Sequence, residues 1–167
     1  MDIREIIERL GLQPHPAEGG LFAETYRGNE VIEIDALPER YGRAKAFSSA
    51  IYYLLTPGVF SAMHSLLSDE VYHFYLGDTV EMLNLFPDGS HKVLSLGSDI
   101  LNGELPQLVV PQRVWQGSRL KEGGRYALLG TTVAPAFDYE DFELGRRSEL
   151  VCRYPECAQL IEALTRS

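Results

Sequence analysis

The chain is poor in cysteine, with two among 167 residues, Cys152 and Cys157. They lie close together near the C-terminus in a stretch that reads as helical. One such pair makes no disulfide framework, and a reducing compartment is the simpler expectation. Basic residues are also scarce, with 15 Lys and Arg against 24 Asp and Glu and a formal charge of -9. That balance argues against nucleic acid or an anionic membrane surface as a partner, because both demand clustered cations. No apolar run approaches the ~20 residues of a membrane-spanning helix. The opening MDIREIIERL carries acids where a signal peptide carries a basic and then an apolar region, so a cytoplasmic protein is expected. Internal repeats and linkers are missing too. The 45% hydrophobic content therefore reads as one domain over residues 1–167 with a single core.

What is present is a succession of short strand-like runs between glycine and proline turns, with helical patterns at the two ends. Ile3, Ile6, Ile7 and Leu10 form a helical stripe that Asp2 and Glu5 can cap and Gly11 can stop. LFAETYRG, FSSAIYYLL and RYALLGTTVAP read as strands, and TVEMLNLFPDGSHKVLSL reads as two strands around a turn. SELVCRYPECAQLIEALTRS reads as two helical pieces, with Pro155 suited to the first turn of the second. This order predicts an all-β sandwich or barrel with helices only at its ends.

The stretch GVFSAMHSLLSDEVYHFYLG carries the chemistry. Phe60 to Leu66 reads as a strand whose alternation places Ala62, His64 and Leu66 on one face. A short turn leads to a second strand from Glu70 to Leu76, on which Tyr72 and Phe74 share the face of Glu70, with His73 on the other. A hairpin bringing His64 and Glu70 to one inner wall is expected. Among the other histidines, His15 sits in a loop between two prolines and is expected at the surface, as is His91. Glu24 and Arg27 read as an edge-strand ion pair or as solvent-exposed side chains.

Gly58, His64, Glu70 and Gly77 stand at the spacing Gly-x5-His-x-His-x3-Glu-x6-Gly, which resembles the first motif of the cupin superfamily, with Leu66 in place of the second histidine. The superfamily's second motif, Gly-x5-Pro-x-Gly-x2-His-x3-Asn, survives only at Pro111; Leu105, Arg113, Gln116 and Leu120 fill its other positions. Along nearly its full length the chain resembles one uncharacterised cupin subfamily, the fifth domain family to carry that name. The likeness runs through Gly19 to Arg27, Ser48 to Leu55, His64 to Asp78, Pro111 to Gly117 and Ala134 to Gly145. The resemblance implies an all-β jelly-roll barrel with short N- and C-terminal helices.

It also implies a site. In metal-binding cupins two histidines and a glutamate of the first motif join a histidine of the second around a divalent ion. Here Leu66 offers no donor and Gln116 a weak one, so no metal and no cofactor are expected. His64 and Glu70 become the candidate catalytic pair, and Tyr72, Phe74 and Gln116 the candidate ligand-binding residues. Trp115 is expected to be core. The expected activity is metal-independent binding of a small molecule, such as a sugar or nucleotide-sugar derivative. The alternative is an epimerase similar to the dTDP-4-keto-6-deoxysugar 3,5-epimerases, with His64 as general base, Tyr72 or Tyr126 as acid, and Asp138 or Asp141 orienting the imidazole. A metal-dependent oxygenase or isomerase ranks last. Cupins of this kind pair across a two-fold axis, so a homodimer is expected.

Overall fold

A computed structural model describes residues 2–166. In chain order the elements are α1 (Ile3–Leu10), β1 (Gln13–Pro14), β2 (Leu21–Arg27), β3 (Val31–Ile32), β4 (Lys45–Ala46), β5 (Ser49–Leu55), β6 (Phe60–Leu66), β7 (Asp69–Gly77) and β8 (Val80–Leu85). Then follow β9 (His91–Leu96), β10 (Gln107–Val110), β11 (Trp115–Leu120), β12 (Ala127–Ala134), β13 (Phe142–Leu144), α2 (Arg147–Arg153) and α3 (Ala158–Ala163). A six-stranded sheet runs β1-β2-β5-β12-β7-β10 and a five-stranded sheet β13-β6-β11-β8-β9, with β3-β4 as a separate ribbon. Every ladder is antiparallel. From β5 onward the chain passes repeatedly from one sheet to the other, the winding of a jelly roll. No ladder joins the two sheets among the described residues, so the expected barrel is an open sandwich. Near one margin the sheets approach through a single bridge between Leu96 and Leu105.

This winding corrects the expected hairpin. β6 belongs to the five-stranded sheet and β7 to the six-stranded one. Leu67 and Ser68 turn a corner of the sandwich, where the Ser68 hydroxyl meets the Tyr41 hydroxyl at 2.9 Å and donates to the Pro135 carbonyl at 3.0 Å. His64 and Glu70 thus face each other from opposite sheets.

Alternation along the strands divides the apolar residues into three layers. Tyr53, Leu55, Tyr72, Val80, Met82, Leu108 and Leu129 fill the space between the sheets. Met63, Leu83, Leu85 and Trp115 turn outward from the five-stranded sheet and are covered by Leu150, Tyr154, Ile161 and Leu164 of the C-terminal segment. Leu54 and Leu128 turn outward from the other sheet and meet Ile3, Ile6, Ile7 and Leu10 of α1. The Asp2 carboxylate caps α1 by accepting from the Arg4 N–H, while Glu5 pairs with Arg9 at 2.8 Å instead of closing a capping box. Gly11 ends the helix in the left-handed region, φ 61.

Candidate functional site

A cavity of about 300 Å³ opens between the sheets. Its walls come from the inner faces of β2, β5, β12, β6 and the start of β7, and its roof from two loops, residues 15–18 and 137–139. His64, Leu66 and Glu70 line it, as expected from strand alternation. Gln116 lies beside His64 in the β6–β11 register and donates from Nε2 to Glu70 Oε2 at 2.8 Å, so the structure brings these three polar groups together. Tyr72 is buried beneath them. Its burial, then the Glu70 charge, pushes the phenol well above its ordinary range.

Phe74 does not join this site. It borders a separate depression with Gly77, Asp78 and Thr79 at the far end of β7, because four strand residues carry the chain ~13 Å along the sheet. Tyr126 packs on the outer layer with α1. His73 also points outward, with its Nε2 3.3 Å from Thr132 Oγ1 and its ring stacked on Tyr75.

The sequence reading missed His15 and Glu18. Both are buried and line the cavity. The loop that carries them is pinned at three points: His15 N–H donates to the Gly20 carbonyl at 3.0 Å, Glu18 N–H to His15 Nδ1 at 2.9 Å, and Ala62 N–H to the Glu18 carbonyl at 2.9 Å. Gly19 and Gly20 make this docking possible. Both have positive φ, and a Cβ would run into the Phe60 carbonyl at Gly19 and into the Tyr53 ring at Gly20. Tyr53 donates to the Gly19 carbonyl at 2.8 Å, and the Ser61 hydroxyl donates to Glu18 Oε1. The paired glycines are the sequence signal that a backbone approaches closely here; the flanking prolines gave only a loop.

His64 is almost fully buried. Its Nδ1 lies 2.7 Å from the Ala62 carbonyl, which can only accept, so Nδ1 carries a proton and Nε2 faces the cavity. Two carboxylates flank Nε2, Glu18 Oε2 and Glu70 Oε2, each at 4.0 Å. Phe142 stacks on the ring at 5.1 Å. Desolvation is the largest influence on this imidazole and opposes its charge. The attraction of Glu18, Glu70 and the Ala62 carbonyl outweighs it and raises the pKa to about 9. His15 behaves oppositely, since burial lowers its pKa more than Glu18 raises it.

The expected aspartates do not orient His64. Asp138 is held by Arg43 at 3.2 Å, and Asp141 pairs with buried Lys45 at 2.6 Å. The Glu24–Arg27 ion pair forms at 2.7 Å, and Arg27 also donates to the Phe137 carbonyl, tying β2 to the roof.

A metal ion does not suit these donors. Leu66 presents hydrocarbon where the cupin pattern has an imidazole, and Gln116 turns its amide N–H onto Glu70 instead of an oxygen toward a shared centre. Among the described residues no three His, Cys, Asp or Glu side chains are arranged to hold one.

A jelly-roll sandwich with a histidine and a glutamate of the first motif facing each other across the interior defines a cupin-type domain. The chain belongs to the cupin superfamily family described as DUF985, which matches residues 4–145. An uncharacterised Saccharomyces cerevisiae protein, YML079W, is 32% identical over 148 residues, covering 83% of this chain and 73% of its own. Two solved structures align over nearly both full chains. Protein SO0799 from Shewanella oneidensis has TM-score 0.86, 31% identity and coverage of 99% and 98%. A hypothetical protein from Leishmania major has TM-score 0.90, 28% identity and coverage of 100% of each chain. A dTDP sugar isomerase from Desulfovibrio desulfuricans, 15% identical with TM-score 0.52 over 81% of this chain and 79% of its own, shares the fold alone.

Proposed function

We propose that the protein binds a small, uncharged, oxygen-bearing organic molecule of about monosaccharide size between its sheets, without a metal. The observation that carries this reading is a cavity of about 300 Å³ in which aromatic walls, Phe22, Phe137 and Tyr139, enclose a buried cluster of His15, Glu18, His64 and Glu70. That size lies at the lower end of small-molecule sites, and a few convergent polar groups among apolar walls is their usual lining. Charge decides between a free sugar and a nucleotide-linked one. Glu18, Glu24, Glu70 and Asp138 line the cavity, and Arg27, the one arginine of the wall among the described residues, is held by Glu24. A diphosphate would meet carboxylates where it needs free cations.

Mass spectrometry of molecules released from the native protein, followed by saturation-transfer NMR with unphosphorylated sugars and with nucleotide sugars, tests this. The expected ligand is neutral, and its signal is lost when Leu66→Trp fills the cavity of a variant that still folds by circular dichroism. Release of a phosphorylated compound, or binding that survives Leu66→Trp, sinks the reading.

An epimerase with His64 as general base is the second possibility from the sequence. The imidazole's surroundings speak against that role, because two carboxylates keep Nε2 protonated at neutral pH. An oxygenase requires the metal that the donors do not suit.

A further inference from the structure

We infer that in this cavity Glu18 is the proton acceptor and His64, assisted by His15, the proton donor, a set fitted to shifting a proton between carbons beside a carbonyl in hydroxy aldehydes and hydroxy ketones. The inference rests on the ligand reading above and assigns chemistry to it.

The tautomers follow from fixed partners. The Glu18 N–H donates to His15 Nδ1, so the ring proton of neutral His15 is on Nε2. The Ala62 carbonyl accepts from His64 Nδ1, leaving Nε2 directed at the carboxylates. Both Nε2 atoms lie 4.0 Å from the same oxygen, Glu18 Oε2. That spacing is too long for a direct hydrogen bond, so both imidazoles and the carboxylate are free to turn to one ligand lying beside them in the cavity. Glu18 itself cannot swing away, because Ser61 holds Oε1 and Ala62 N–H holds its carbonyl. Glu70 is committed differently, with Oε2 taken by Gln116.

The step balances without a co-reactant. Glu18 Oε2 takes the proton from the carbon next to the carbonyl, and the C–H electron pair becomes the C=C bond of an enediol. The carbonyl π pair takes the proton of His64 Nε2, while His15 Nε2–H donates to the same oxygen. In the second half the neighbouring hydroxyl returns a proton to His64, and the C=C pair takes the proton from Glu18 at the other carbon. A carboxylate base with imidazole electrophiles is a known division of labour for enolisation. The pKa of His64, about 9, keeps Nε2 protonated at neutral pH. The other charged or titratable groups around it are Glu70 and Tyr72 on β7, Tyr53 on β5, Glu24 and Arg27 on β2, and Asp138 and Tyr139 of the roof, with the Arg166 charge acting on His15.

The test is C–H to C–D exchange in D₂O, followed by proton NMR, on unphosphorylated aldoses and ketoses of three to six carbons, with saturation transfer recording binding separately. The wild type is expected to exchange the proton beside the carbonyl, at a rate that falls as pH rises through about 9. Glu18→Gln and His64→Gln are each expected to keep saturation transfer and lose roughly 100-fold or more in exchange. Glu18→Asp, which keeps the carboxylate, should retain part of the rate and guards against misfolding of the Gln variant. Binding without exchange overturns the inference and leaves the ligand reading standing, whereas no saturation transfer overturns both. Exchange that rises through pH 9 and survives Glu18→Gln makes His64 the base, and also overturns it.

Discussion

His64 carries a charge in a place that burial alone would make neutral, and that has a consequence in solution. Its pKa moves from 6.5 unfolded to about 9 folded, a linkage of about 3 kcal/mol. The raised value means this stability is fully present below pH 6.5 and is lost as pH climbs through about 9. Urea unfolding at pH 6 and pH 9.5 should show the loss in the wild type and not in His64→Gln, and imidazole NMR should show the pKa drop in Glu18→Gln. Arg113 is a second informative side chain. It has φ 62 at the place where the second cupin motif has glycine, while its N–H donates to the Leu66 carbonyl at 2.8 Å. Arg113→Gly is expected to stabilise the fold by about 0.5–1 kcal/mol, measured by chemical denaturation. His64, Glu70 and Gln116 were legible in the sequence because strand alternation and motif spacing are local. Glu18 was not, because its contacts with Ser61 and Ala62 are made 43 and 44 residues away, and no local pattern reports them.

At the scale of elements, β6 and β7 were found within a residue of their ends, but their relation was misread. A two-residue turn looks alike in sequence whether it closes a hairpin or rounds a sandwich corner. The distinction lies in β6 pairing with β11 and β13, and β7 with β10 and β12, partners remote in the chain. The loop at residues 15–20 shows the same limit. Its prolines and glycines announce a turn, and its position over the cavity depends on Ala62 and Tyr53. Gly19→Ala should push it off β6, costing about 2–3 kcal/mol in denaturation and lowering the His64 pKa by removing Glu18. β6 and β11 carry Leu66 and Gln116, the two positions at which the metal-binding pattern has histidines. Leu66→His with Gln116→His should bind zinc roughly 100-fold more tightly than the wild type by calorimetry.

For the whole molecule, the sandwich is covered by α1 on one outer face and the C-terminal helices on the other, while the margin at β2 is bare. β1 pairs with Leu21 and Phe22 alone, leaving Ala23 to Arg27 open on that side. Tyr26 on β2, Val31 on β3, and Ile34 and Phe47 just beyond the ends of β3 and β4 are exposed. A second copy paired along this margin would satisfy the open backbone groups and cover those side chains. Light scattering is expected to give a dimer, and Tyr26→Asp a monomer with unchanged circular dichroism. The all-β class and terminal helices were readable from strand rhythm and turn residues. That the sheets stay unjoined was not, because closure is set by pairing at margins that the alternation of a single strand does not encode.

The loop holding His15 and Glu18 belongs to neither sheet, so two of the four polar groups that meet in the cavity hang on a connecting segment while His64 and Glu70 are woven into the ladders. Residues 15, 16, 17 and 18 could therefore be exchanged to recast one wall of the cavity with no ladder residue altered, provided Gly19 and Gly20 stay to seat the segment against Phe60 and Tyr53.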